Sequence, residues 1–304
     1  MTSKPLEIGD YAILKPYFER QAYDLSPYSL LSLMTWNGHL YRTAWRIDGA
    51  SAILSFQSDH DPEDRYLVLP VPPPDELGVD DLVRLAEDAG IPCFWFVPDD
   101  RVERIGRPVL ETRFRLTEQP EYMDYIYRTA DLATLKGNRY IRKRNLINQF
   151  ERAYGNRGRV AVEPISRENV PECLVFLDEW CHLRGGCDPF GEDMLACERR
   201  AVIAALENLE ALEGIGILVR IDGAVSAFGI ASRLNGAMAT LNFEKAYPHV
   251  RGLYQYLDRE CARLLFAGFE FINKESDMGL ADLAKSKESY DPVRRLRSWR
   301  LDLR

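Results

Sequence analysis

Apolar residues follow two rhythms along this chain, a two-residue alternation in short runs and a three-to-four-residue spacing in longer ones, and the two recur in the same order twice. Trp45-Arg46-Ile47-Asp48-Gly49-Ala50-Ser51-Ala52 returns nearly intact as Val219-Arg220-Ile221-Asp222-Gly223-Ala224-Val225-Ser226-Ala227. Asp-Gly between apolar runs predicts a tight hairpin in each, because glycine accepts the positive φ of a primed turn. A short apolar run fit for an inner strand follows each hairpin, at residues 66–71 and 237–243. Helical spacing comes next. Leu82, Leu85, Ala86 and Ala89 keep it until Gly90, and Leu253, Leu257, Cys261, Leu264 and Leu265 until Gly268. A strand closes each unit, over residues 92–97 and 269–273.

The shared order of hairpin, strand, helix and strand predicts an internal duplication, with each last strand returning beside the third through a right-handed crossover. That is the core order of the GNAT acyltransferase fold. The expected class is α/β (α+β), with two tandem GNAT-like (acyl-CoA N-acyltransferase) units, each a mixed sheet flanked by helices. Residues 1–118 would be a structural N-terminal domain, and residues 119–304 a C-terminal domain holding the active site. Between the copies the pattern predicts one helix over 122–135, a break at Gly137-Asn138, and a second helix over 139–154 ending at Gly155. Asn169 can cap a third, with Pro171 in its first turn, and residues 192–212 form a fourth. The Gly-rich stretch 185–191 joins the last two, as an ordinary connection or a substrate-side loop.

The chemistry concentrates in the second copy. Its inner strand ends in Asn242-Phe243-Glu244-Lys245, and Arg251-Gly252 precedes the helix. A strand end facing a helix start offers free N–H groups to a phosphate or oxyanion. The first copy carries Pro70-Val71-Pro72-Pro73-Pro74 there, and proline has no N–H to offer. Upstream, Tyr140, Ile147, Phe150 and Tyr154 share one helical face, with Lys143 in its middle. Such a lysine snorkels to water, pairs with a buried carboxylate, or meets an anionic ligand. Further polar groups follow the last strand, from Asn273 to Leu280 and from Lys285 to Pro292.

Composition narrows the setting. With 304 residues, 46% of them hydrophobic, the chain can fill a core in each unit. No window reaches the roughly 20 apolar residues of a membrane span, and residues 1–10 lack a secretory pattern, so a cytoplasmic protein without a transmembrane segment is expected. The six cysteines and four histidines show no metal-ligand spacing; Cys173 and Cys181 belong to an apolar helical stripe. A net charge of −8 argues against a protein that coats nucleic acid, although Lys136, Arg139, Arg142, Lys143, Arg144, Arg152, Arg157 and Arg159 crowd one stretch. A solvated face or an anion site accounts for such a run.

These residues carry a family likeness. Residues 29–36, Asp131-Leu132-Ala133 with Leu135-Lys136-Gly137, Lys143-Arg144-Asn145 with Asn148 and Phe150, Phe243-Glu244-Lys245-Ala246, and Ile272-Asn273-Lys274-Glu275 with Asp277, Gly279, Leu280, Lys285, Lys287, Ser289, Tyr290 and Pro292 resemble the DUF2156 family. That family is similar to the C-terminal catalytic domain of phosphatidylglycerol lysyltransferases, with a tandem pair of GNAT units. In the lysyltransferases an acid and, three residues later, an arginine close the inner strand. The matching positions here hold Asn242 and Lys245, a departure from that pattern.

The resemblance implies transfer of an acyl or aminoacyl group, from acyl-CoA or aminoacyl-tRNA, to an amine or hydroxyl of a small-molecule, peptide or lipid acceptor. No permanently bound cofactor or metal is expected. Glu244 would serve as base or acceptor partner, Lys245 and Lys143 would neutralise phosphate or oxyanion charge, and Asn273 or Tyr290 would orient or protonate the leaving group. Arg144, Asn145, Asn242, Arg251, Gly252, Glu275, Asp277 and Lys287 complete the expected substrate-binding set. A plain ion pair between Glu244 and Lys245 at the strand end is the simpler alternative. Two non-enzymatic alternatives stand beside transfer: a tRNA-binding module using residues 136–159, and a small-molecule sensor that keeps the fold.

Overall fold

The computed structural model describes residues 3–59, 61–186, 191 and 193–304. The 185–191 loop, its Cys187 included, lies largely outside the described residues, as do His60 and Glu192.

The repeated segments build two seven-stranded mixed sheets. The first orders its strands β1 (Lys4–Pro5), β2 (Tyr41–Asp48), β3 (Ser51–Ser58), β4 (Arg65–Leu67), β5 (Cys93–Pro98), β14 (Ser298–Leu303) and β6 (Phe114–Glu118). The second runs β13 (Arg294–Leu296), β7 (Asp124–Arg128), β12 (Phe271–Ser276), β11 (Met238–Ala246), β10 (Ala224–Arg233), β9 (Ile215–Ile221) and β8 (Val160–Pro164). In each sheet the hairpin is antiparallel, and the strand before the crossover helix pairs in parallel with the strand after it, β4 with β5 and β11 with β12. A boundary between residues 118 and 119 falls between β6 and β7, yet β14 returns to the first sheet and fills the place between β5 and β6.

The helices are α1 (Tyr11–Phe18), α2 (Leu30–Trp36), α3 (Val79–Ala89), α4 (Asp99–Ile105), α5 (Arg107–Leu110), α6 (Thr129–Thr134), α7 (Ile141–Ala153), α8 (Val170–Leu183), α9 (Met194–Glu207), α10 (Leu253–Leu264) and α11 (Ala281–Glu288). The expected crossover helices are α3 and α10, and α7, α8 and α9 answer to the second, third and fourth helices read from the pattern. The helix expected over 122–135 is not one helix. Its first half is β7, an inner strand buried on both faces from Asp124 to Tyr127, and only its second half, α6, is helical. Tyr125, Ile126 and Tyr127 favour a pleated setting, and without one polar face a strand and a buried helix look alike in sequence.

One core runs between the sheets and joins Leu31, Phe94 and Trp299 to Phe176, Phe228 and Phe243. Cys173 and Cys181 are buried in it. A second core, with Ile147, Phe150, Leu253, Leu257 and Cys261, lies on the other face of the second sheet, under α7 and α10. Among the described residues no helix is long and apolar enough to cross a membrane.

Candidate active site

Strands β11 and β12 start as partners and then part. Three residue pairs hold them together, Met238 with Phe271, Ala239 with Ile272 and Thr240 with Asn273, and the ladder goes no further. The cause lies on the neighbouring strand. Ile230 pairs with Phe243 and Ala231 with Leu241, so Asn242 is an extra residue, a β-bulge that bends β11. The bulged residue is anchored: its amide donates to Ser29 Oγ (3.1 Å) and Ser32 Oγ (2.8 Å) and accepts from Ser232 Oγ (2.9 Å). Asn242 thereby ties the second sheet to the start of α2.

Past the bulge, successive side chains leave β11 on opposite faces. Glu244 points under α7 and α10, where its Oε2 accepts from Lys274 Nζ at 3.1 Å. Lys274 also reaches Asp258 Oδ1 of α10 at 2.5 Å. Lys245 points toward the inter-sheet core, where its ammonium meets Glu198 Oε1 of α9 at 2.5 Å and lies 4.5 Å from the Trp180 ring centroid. Glu244 and Lys245 therefore do not pair with each other, and the strand-end ion pair is replaced by two pairs on two faces.

The face under α7 gathers Lys143, Glu244, Asp258, Lys274 and Tyr290. Lys143, only 7% exposed, stands 3.6 Å from the Tyr290 ring centroid and forms no ion pair or hydrogen bond among the described residues. Burial lowers its ammonium to about 8, partly offset by Asp258. Burial and the nearby Asp258 charge raise Glu244 to about 7, although Lys274 opposes them. Its side chain is 18% exposed, so it keeps contact with solvent. Burial also holds the Tyr290 phenol protonated well above its ordinary range, facing Asp258 and Glu244.

At the end of β12 Lys287, from α11, donates its ammonium to the carbonyls of Lys274 (2.5 Å), Glu275 (3.0 Å) and Ser276 (2.6 Å). These three carbonyls follow Asn273, the last β12 residue paired with β11, so Lys287 fastens the strand where the two part. Burial pushes Lys287 down and Glu275 up, each toward neutrality. Asn273 spends its whole amide within the fold: Nδ2 donates to the Asp24 carbonyl and to Asp124 Oδ2, both at 2.8 Å, and Oδ1 accepts the Glu275 N–H. Asp277 accepts from Tyr125 Oη (2.5 Å) and the Gly279 N–H (2.8 Å).

Arg144 caps the end of α6 by donating to the carbonyls of Leu135 and Gly137. Asn145 is exposed, and Arg251 is exposed at the start of α10. Gly252 adopts φ +85°, and a Cβ placed on it would lie 2.2 Å from the Leu146 carbonyl oxygen of α7. The two helices thus touch backbone to backbone at this glycine. Within the basic tract, Arg139 pairs with Asp131 and Asp291, and Arg159 with Asp222.

Glu244, Lys143 and Tyr290 converge on one face, Lys245 and Glu275 on the other, and Asn145 and Arg251 on neither. Glu198 and Trp180 were absent from the expected set, as was Asp258; Lys274 entered only within a family motif. Asp258 was legible. It shares the apolar stripe of Cys261, Ala262 and Leu265, the same anomaly that singled out Lys143. Glu198 and Trp180 come from helices of ordinary pattern and gave no signal.

The first sheet has a matching parting of β4 and β5 after Leu67 and Phe94, and there it is closed. Tyr28 Oη accepts from the Leu69 N–H (3.3 Å) and donates to the Phe96 carbonyl (3.1 Å), spanning the two strands. Phe96 and Glu275, each two residues past the last pairing, share a positive φ of 55° and 59°.

Comparisons with known proteins bear on the fold. A conserved protein of unknown function from Bacteroides thetaiotaomicron VPI-5482 superimposes with a TM-score of 0.89 at 29% identity, covering 100% of both chains. The C-terminal domain (DUF2156) of a putative lysylphosphatidylglycerol synthetase from Agrobacterium fabrum gives a TM-score of 0.65 at 14% identity, over 97% of this chain and 91% of that one. A tandem GNAT protein from the clavulanic acid biosynthesis pathway gives 0.52 at 10% identity, over 99% and 98%. The fold is thus a tandem GNAT fold. No match was found among curated proteins. The family described as "Phosphatidylglycerol lysyltransferase, C-terminal" matches residues 25–301, and the chain belongs to that family.

Proposed function

We propose that the chain transfers an acyl or aminoacyl group from an activated ester to an amine or hydroxyl acceptor, by direct attack at the parting of β11 and β12. The observation that carries this reading is the parting itself: a bulge opens the sheet, and ionisable groups of both strands line the opening on both faces. A substrate lying in it touches both sets. Glu244, raised to about 7, takes the acceptor's proton as its nitrogen or oxygen attacks the carbonyl carbon. The ester bond breaks, and the protonated Tyr290 supplies a proton to the leaving oxygen. Lys245, held by Glu198, and Lys143 offset the charge that develops on donor phosphate or carbonyl oxygen. Asn242, Asn273, Asp277 and Lys287 act as positioning residues that keep the opening in shape.

The N-terminal unit serves as scaffold in this reading, supported by the Tyr28 bridge across its own parting. The donor is an aminoacyl ester of tRNA rather than acyl-CoA. A CoA pyrophosphate would need the amide-lined turn at the start of α10, and α7 packs directly on Gly252 there. The acceptor is a small molecule, a peptide or a lipid that reaches the opening from outside.

Transfer assays with charged tRNA and with acyl-CoA, each with a panel of amine and lipid acceptors, test this. Glu244→Gln, Lys245→Ala and Lys143→Ala are each expected to lower transfer by about 10²-fold or more. Unchanged transfer in all three would remove the opening as the site.

A further inference from the structure

Glu275 lines the opening, yet the transfer chemistry gives it no task. It lies two residues past Thr240 and Asn273, the last pair of the β11–β12 ladder, and its carboxyl is in the field of Lys287, Asp124, Glu198 and Lys245. These neighbours are spent. Lys245 Nζ is taken by Glu198 Oε1 at 2.5 Å, and Lys287 Nζ by three carbonyls. Asp124 accepts from the Ser26 N–H (2.6 Å), Ser26 Oγ (3.0 Å) and Asn273 Nδ2 (2.8 Å). The Glu275 carboxyl has no hydrogen bond or ion pair among the described residues, and it is half-buried, within reach of a ligand in the opening.

Charge points to the kind of ligand. Counting Glu275 with the groups that act on it, three carboxyls share the two ammoniums of Lys287 and Lys245. Burial raises the Glu275 carboxyl to about 8, with Asp124 and Glu198 adding to the rise and the two lysines opposing it. A cation would supply the missing charge and let Glu275 ionise.

The duplication supplies a control. Phe96 holds the equivalent place in the first sheet, two residues past its last pair and with the same left-handed backbone. There the ring packs edge-on against Tyr66 and Tyr122. The left-handed residue thus belongs to the fold, and the second copy uses it to present a carboxyl where the first presents a filling ring.

We propose that Glu275 binds the α-ammonium of the donor's aminoacyl group, and so selects amino acids with a free amine over blocked or plain acyl groups. The assignment rests on the transfer reading and names the part of the donor that this side of the opening receives. The attacking nitrogen of an acceptor cannot serve here, because it must be neutral when Glu244 has taken its proton.

Isothermal titration calorimetry of the full chain with L-alaninamide, N-acetyl-L-alaninamide and propionamide tests the assignment. Only the first carries an ammonium, and it is expected to bind at least about tenfold more tightly than the other two. At about pH 6.5 its binding should release about one proton, read from titrations in buffers of different ionisation heat, as Glu275 ionises. Glu275→Gln should level the three affinities and abolish the release, with circular dichroism unchanged. Should that variant not fold, the wild-type panel and its proton release still decide. In transfer assays the wild type should prefer alanyl-tRNA to N-acetylalanyl-tRNA by about tenfold or more, and Glu275→Gln should lose that preference. Equal binding of the three amides by the wild type, or a preference that survives in Glu275→Gln, overturns the assignment and leaves transfer standing. Selective amide binding that depends on Glu275, with no transfer from any donor, supports the ammonium site and overturns the transfer reading instead.

Discussion

Single residues here are held where water would normally claim them, and their ionisation is the measurable consequence. Glu244 sits at about 7 against an ordinary 4.5 because burial and Asp258 disfavour its charge. Its folded value lies above its unfolded one, so the stability it confers is complete below about 4.5 and drains away as pH rises through about 7. Denaturant melts across that window should show this loss, and Glu244→Gln should flatten it. The rate of transfer should run the opposite way, climbing through about pH 7 as the base ionises, and the climb should vanish in Glu244→Gln. Lys143 is lowered from 10.5 to about 8, so its fold penalty is full below about 8 and fades toward 10.5. Lys143→Met is therefore expected to stabilise the protein at pH 7 by roughly 1–3 kcal/mol, an effect shrinking above pH 8, even while transfer falls. Denaturation at pH 7 and pH 10 checks both halves. Gly252→Ala meets a carbonyl at 2.2 Å in a left-handed backbone and should cost about 3 kcal/mol or more, read from the urea midpoint.

Elements were legible where their rhythm is one-sided and obscure where it is not. The helices α3, α7, α8 and α10 lie where their apolar spacing puts them, with α3 ended by the left-handed Gly90. The two hairpins form as the repeat predicts, but their turns differ by one residue. Gly49-Ala50 connects β2 to β3, and Asp222-Gly223 connects β9 to β10 with positive φ at both positions. The extra residue of the second copy reappears as a bulge at Ser226. Such a shift was present in the alignment as one surplus residue. The bulge at Asn242 left no such trace, because nothing in the second copy alone says which residue goes unpaired. The end of β12 depends on α11 through Lys287. Lys287→Met deprives three carbonyls of their donor and should cost roughly 3 kcal/mol, with hydrogen exchange rising first at residues 274–276.

At the scale of the whole molecule, duplication was readable and connectivity was not. Two copies of hairpin, strand, helix and strand predict two sheets, and two sheets form. Nothing in the pattern of residues 298–303 says which sheet they join, since a strand's partner is set by distant surfaces. Ser298–Leu303 lies between β5 and β6 and bonds to both. A chain of residues 1–118 alone should therefore leave two strand edges open and stay unfolded or aggregate. Adding residues 119–304 in trans should rescue it, as size-exclusion chromatography and circular dichroism of the mixture would show.

The placement of β14 also sets a clock for biosynthesis. Translation delivers about 5–20 residues per second, so the amino-terminal sheet waits on the order of ten seconds or more for its missing member after its other strands have left the ribosome. During that interval Cys93–Pro98 and Phe114–Glu118 present bare hydrogen-bonding edges to the cell. Nascent chains of this protein should be clients of chaperone holdases until Ser298–Leu303 has paired, and native only afterwards.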